Sequence, residues 1–165
     1  MFKKLFLLMN ILVITNVMGD EDEIEIQRTL PMTLNGNSLS LEGSASRDFC
    51  YLSIEAYHPK TKKRKATYGS LVANYNDELE TMDLEELRVS NLCQGNGLGT
   101  ILFNNACENL KSLEHTKMTW KASPELVDKY DPSRKSLDYL IGFYEKNGGT
   151  LLEKCSDSAT FEIYL

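Results

Sequence analysis

The stretch Leu87-Arg88-Val89-Ser90-Asn91-Leu92-Cys93-Gln94-Gly95-Asn96-Gly97-Leu98-Gly99-Thr100 decides the fold of this chain. It opens on the end of a strand-like run and then places three glycines within five residues. Apolar residues at helical spacing follow, with Leu98, Ile101, Leu102, Ala106, Leu110 and Leu113 on one face. The reading is strand, glycine loop, helix. Glycines let a backbone turn tightly and approach a ligand closely. The unpaired N–H groups at a helix start favour an anion, so a phosphate or pyrophosphate is the natural guest. No Lys-Ser or Lys-Thr follows the last glycine, which excludes a Walker loop. Thr100 stands where a dinucleotide fingerprint has its third glycine, and no βαβ unit follows. Glycines that only permit a tight strand-to-helix turn remain the plain alternative.

Outward from the loop, Glu23–Leu30 alternates as a strand, and Pro31–Arg47, rich in Asn, Gly and Ser, reads as loop with at most a short element around Leu39–Leu41. Phe49–His58 and Ala66–Tyr75 are strand-like, with Pro59–Lys65 as the hairpin turn between them, and the second half of Glu78–Val89 is a further strand. Lys117–Ala122 is a short strand. Ser136–Lys146 is helical, stopped by Gly148–Gly149. Thr150–Glu153 and Ala159–Leu165 close the chain as paired strands. The expected class is α/β (α+β), a mixed, largely antiparallel sheet of about six to seven strands flanked by helices.

The 165 residues carry 42% apolar and 25% charged side chains, which excludes disordered, collagenous and polytopic membrane classes. The net charge of −6 makes a poor nonspecific nucleic-acid binder and suits a cationic partner. Met1–Gly19 reads as a signal peptide: Lys3 and Lys4 precede a mostly apolar run, and small residues precede the acidic Asp20–Glu23. Residues 20–165 are then one exported domain. An uncleaved anchor, or cytoplasmic initiation at Met1 or Met18, are the alternatives. Cys50, Cys93, Cys107 and Cys155 show neither a disulfide framework nor metal-ligand spacing, and mostly unpaired thiols are expected. His58 and His115 read as surface residues. Lys60, Lys62, Lys63, Arg64 and Lys65 form a basic cluster, read as a solvated hairpin tip or a site for an anionic partner. Trp120 reads as core.

Gln94-x-x-Gly97-x-Gly99 resembles the acyl-CoA pyrophosphate loop of the GNAT superfamily of N-acetyltransferases, in which Arg or Gln precedes two residues, Gly, one residue, and Gly or Ala. Leu87-x-Val89 lies where that family places the strand that hydrogen-bonds the pantetheine arm. Phe143-Tyr144-Glu145-Lys146-Asn147-Gly148 resembles its aromatic-Tyr-Glu-Lys-x-Gly segment. The resemblance runs from Phe49 to the C-terminus. It departs at Asn91, where a proline is usual, at Asn96, where a basic residue is usual, and at Gly149, where an aromatic is usual. Pro31–Arg47 also leaves little room for the two N-terminal helices that shape many acceptor sites. The resemblance implies acetyl-CoA as co-substrate, no metal, and a cofactor site built from Leu87, Val89, Gln94, Gly95, Asn96, Gly97, Leu98, Gly99 and Thr100.

Transfer from a thioester to an amine needs an amine that loses its proton, a polarised carbonyl and a stabilised thiolate. The resemblance gives the carbonyl to a backbone N–H near Val89 and the thiolate to the Tyr144 hydroxyl. Asp83, Glu85 and Leu87 alternate onto one face of the candidate strand. If Leu87 faces the cleft, Glu85 or Asp83 would take the amine proton; otherwise both are solvated. The leading expectation is an N-acetyltransferase that moves an acetyl group to a primary amine, small or on a protein, in a ternary complex. The alternatives are an exported interaction or effector protein on the same scaffold with weak or no catalysis, and an unrelated phosphate-binding domain.

Overall fold

The computed structural model describes residues 23–124 and 136–165, so the leader segment Met1–Gly19 lies outside the described residues. Alternation of apolar and polar side chains builds β1 (Ile24–Leu34) and β2 (Asn37–Ala45). Between them Asn35 and Gly36 both take positive φ, 51° and 74°. That is the geometry of a two-residue hairpin turn, whose twist matches the strands it joins. Pro31–Arg47 is therefore not a loop, as its composition suggests. It completes one strand and forms the next, with Leu39, Leu41 and Ala45 fully buried.

Then come β3 (Phe49–Tyr57), β4 (Arg64–Asn76) and β5 (Thr81–Val89), each antiparallel to its neighbour. A single turn of 3-10 helix, Asn91–Cys93, leads to α1 (Leu98–Ser112). The remainder is β6 (Lys117–Ala122), α2 (Leu137–Lys146), β7 (Thr150–Lys154) and β8 (Ala159–Tyr164). The strands form one eight-stranded sheet in the order β1-β2-β3-β4-β5-β6-β8-β7, one or two more strands than expected because β2 is a strand.

Among the described strands, only β5 and β6 run parallel. Leu52, Ile54, Leu71, Ala73, Met82, Met118 and Phe161 form the core on one face of the sheet. α1 and α2 both lie on that face. Leu102 of α1 comes against Gly69, and Trp120 of β6 meets Phe103 of α1 and Tyr144 of α2 at ring-centroid distances of 5.3 and 5.0 Å. Among the described residues no helix covers the opposite face, which carries Ser53, Glu55, Ser70, Asp83, Glu86 and Arg88. No helix of the described residues is long and apolar enough to cross a membrane.

All four cysteines are free. Burial pushes the Cys50 thiol up to about 12 and the Cys107 thiol up to about 11, so both stay protonated at neutral pH and serve as packing.

Candidate functional site

The site is made by a failure of pairing. β5 and β6 pair only at Met82 with Met118 and Asp83 with Thr119, and then part. Among the described residues, β5 runs on to Val89 without a strand partner on that edge. Ser90 donates its N–H to the Tyr68 carbonyl on β4 at 2.9 Å, so alternation turns the backbone groups of Leu87 and Val89 to the open edge. The Val89 carbonyl there accepts from the Gln94 side-chain amide at 3.4 Å.

Beyond the strand the glycine loop turns onto the helical face. Gly95 and Gly97 have φ of 78° and 77°, a conformation that side chains with a Cβ rarely adopt. Gly97 is the N-cap of α1, and no side chain caps the helix. The first intrahelical bond runs from the Ile101 N–H to the Gly97 carbonyl at 3.0 Å, which leaves the N–H groups of Leu98, Gly99 and Thr100 without helical partners. The loop amides brace the loop itself: Gln94 also donates to Asn91 Oδ1 at 3.2 Å, and Asn96 donates to the carbonyls of Cys93 and Gln94, each at 3.2 Å. Gly99 is small because α2 is close: a Cβ there would stand 3.3 Å from Phe143 Cζ.

Splayed edge, glycine loop and α2 enclose a cavity of about 540 Å³, within the usual range for small-molecule sites. Leu87, Val89, Gln94, Gly95, Gly97, Leu98, Gly99 and Thr100 line it, as does Tyr144. Asn96 does not; it is bonded within the loop. Tyr144 is buried among Phe103, Trp120, Phe143 and Phe161 at centroid distances of 5.0–5.8 Å. Burial pushes its phenol up to about 12, so it is a hydrogen-bond donor throughout the neutral range. Asp138 and Lys146 are the charged residues in the lining.

The carboxylates read from alternation stand elsewhere. The β4–β5 register shifts between Val72 and Ala73: Ala73 faces Leu84 and Val72 faces Glu86, so Glu85 is an inserted bulge residue. The bulge resets the phase, which places Leu84, Leu87 and Val89 on the helical face and Asp83 and Glu86 on the other. Asp83, Glu85 and Leu87 therefore do not share a face. Asp83 accepts hydrogen bonds from Asn76, Thr81 and Thr119 where β5 still meets β6, and Glu85 is exposed at the bulge. Glu86, which strict alternation did not single out, lies beside the open edge and accepts from Ser70 Oγ at 3.2 Å. Its signal would have been the bulge, which depends on the partner strand.

No protein-family model matches the chain, and no curated protein sequence matches it. Solved structures do. An IAA acetyltransferase from Bacillus cereus is 16% identical with a TM-score of 0.53, covering 72% of this chain and 79% of that one. The PaiA N-acetyltransferase of Thermoplasma acidophilum, solved in complex with coenzyme A, is 14% identical with a TM-score of 0.52, covering 72% of this chain and 62% of that one. An acetyltransferase of the GNAT family from Staphylococcus aureus is 11% identical with a TM-score of 0.50, covering 71% and 68%. At these identities the likeness is one of fold.

Proposed function

We propose that this chain, which has the fold of the GNAT acetyltransferases, is an acyl-CoA-dependent N-acyltransferase that carries an acetyl group from acetyl-CoA to a primary amine in a ternary complex. The observation that carries the proposal is the parting of β5 from β6 after two residue pairs, beside three unpartnered helix-start N–H groups. A pantetheine arm is a peptide-like chain that can take the place of the missing strand partner. The N–H groups of Leu98, Gly99 and Thr100 suit a pyrophosphate. Acetyl-CoA supplies an activated acyl group on a thioester.

The chain's own residues then do three things. The open backbone edge at Leu87 and Val89 orients the arm and offers an N–H to the thioester carbonyl. The Tyr144 hydroxyl, protonated at neutral pH, donates to the sulfur as it leaves. An amine arriving from the uncovered sheet face meets Glu85 and Glu86 beside the edge, and either carboxylate, directly or through water, takes its proton. The net charge of −6 suits an acceptor that is cationic in solution. The leader reading of Met1–Gly19 belongs to the same proposal, and intact-mass analysis of the natural protein tests it: loss of residues 1–19 supports export.

Isothermal titration of the purified protein with acetyl-CoA and with CoA tests the function, and saturable binding of both is expected. No saturable binding overturns the reading. Saturable binding with no acetylation of an amine panel would favour an exported interaction protein on this scaffold.

A further inference from the structure

A protein of net charge −6 that binds an acyl-CoA must draw in a polyanion, since a phosphomonoester alone carries about −1.5 to −2 at neutral pH. The loop from Ser90 to Thr100 holds no Lys or Arg, and the cavity lining carries one cation, Lys146, and one anion, Asp138, whose carboxylate Lys154 engages at 3.0 Å. Helix-start N–H groups act only at short range. The densest run of cations in the sequence stands in the turn between β3 and β4.

We propose that this hairpin tip, through Lys60, Lys62, Lys63 and Lys65, is the cationic arm that attracts the phosphates of the acyl-CoA to the glycine loop, an inference that rests on the function proposed above. Three observations support it. The first is register. Gly69 of β4 faces Val89 at the end of β5, and the next bond joins Tyr68 to Ser90. Residues 64–68 therefore overrun the end of β5 by about 16 Å at ~3.3 Å per residue, and the tip leaves the same end of the sheet as the glycine loop.

The second is that the tip is held in shape. His58 donates its N–H to the Lys63 carbonyl and accepts from the Lys62 N–H at its own carbonyl, both at 2.9 Å. Its Nδ1 accepts from the N–H groups of Lys60 and Thr61 at 3.3 and 3.2 Å. The third is that the lysines are available. Arg64 is engaged by Glu55 at 2.6 Å, whereas Lys60, Lys62, Lys63 and Lys65 are exposed and make no ion pair among the described residues. Charges that overrun the strand end by about 16 Å act at low ionic strength, where the screening length is about 30 Å at 0.01 M, and fade by 0.1 M, where it is about 10 Å. They offset the repulsion of the acidic domain where the ligand's most charged end must settle.

The test compares CoA with 3′-dephospho-CoA on the full chain and on K60Q/K62Q/K63Q/K65Q, with Arg64 kept, by titration over a salt series. The wild type is expected to bind CoA more weakly as salt rises and to bind dephospho-CoA with a flatter salt dependence. The variant is expected to lose about tenfold in CoA affinity at low salt, less for dephospho-CoA, which keeps only the pyrophosphate charge, and to converge with the wild type near about 0.5 M salt. The pairs K60Q/K62Q and K63Q/K65Q should each lose part of this, which keeps the test open if the quadruple variant folds poorly. Unchanged CoA affinity and salt slope in the variants, with the wild type binding CoA, overturns the inference and leaves the proposed function standing. A wild type that binds neither ligand overturns both. Variants that keep CoA affinity but lose binding to vesicles of anionic phospholipid would assign the tip to a lipid surface and overturn the inference as well.

Discussion

Tyr144 shows how burial alone sets a role. Its ring is enclosed by four aromatics, its phenol is pushed up to about 12, and desolvation is the cause. Such a group gives a hydrogen bond and does not take a proton at neutral pH. Tyr144→Phe keeps the ring, so CoA affinity should hold within about twofold, while turnover falls by about 10²-fold, the low end for a lost proton donor. A kcat equal to that of the wild type removes Tyr144 from the chemistry. His115 carries a different consequence. Packed on Tyr75 at a 5.8 Å centroid distance, it has its pKa lowered by burial, against smaller upward pulls from the Arg47 and Ser46 backbone. The folded state therefore prefers neutral imidazole, and the unfolded chain takes up its proton first, near the ordinary value of about 6.5. This contribution is full above that pH and is lost as the pH falls toward the lowered folded value. Urea midpoints at pH 7.5 and 5.0 check it: the wild type should lose more on acidification than His115→Gln, and equal losses would refute the assignment.

At the level of elements, the periodic pieces were legible and the pairing-dependent ones were not. β3, β6, α1, α2 and β8 follow from apolar spacing that one segment carries by itself. β2 was hidden by its Asn, Gly and Ser content, since its strand state comes from neighbours on both edges; the hairpin signal was Asn35-Gly36. The bulge at Glu85 was hidden for the same reason, because only the register with β4 reveals an inserted residue, and one residue moves every later side chain to the other face. The glycine loop was legible because its glycines are required locally by positive φ and by the approach of Phe143. The glycine at 149, where the resemblance leads one to expect an aromatic, has its reason at the junction of α2 and β7. A Cβ there would lie 2.9 Å from Trp120 Cζ2 and 3.1 Å from the Tyr144 carbonyl. Trp120 already fills that space, stacked on Phe161 with a 10° interplanar angle. Gly149→Ala should cost about 1–3 kcal/mol by overpacking, read from chemical denaturation, and should weaken CoA binding because Trp120 pushes on Tyr144. A neutral stability would mean that the junction yields freely.

For the whole molecule, both described helices sit on one face, where α1 packs on β2, β3 and β4, and the sheet is extended past β3 by β2 and β1. β2 fills the Pro31–Arg47 stretch that the resemblance sets against N-terminal helices; it gives β3 a neighbour on its outer edge, and β1 in turn gives one to β2. Without them β3 becomes an edge strand carrying Leu52, Ile54 and Ala56, all fully buried in the intact fold. Leu30, Leu39 and Leu41 would be lost from the core at roughly 1.5–3 kcal/mol each. That sum rivals the ~5–15 kcal/mol by which domains of this size are stable, and a bare apolar edge invites pairing with other chains. A chain starting at Ser46 should therefore be insoluble or lack a cooperative urea transition, although it keeps every residue that lines the cavity. A soluble truncated protein that melts cooperatively and still binds CoA would show that the sheet from β3 onward is self-sufficient. The first two strands would then be free for another task.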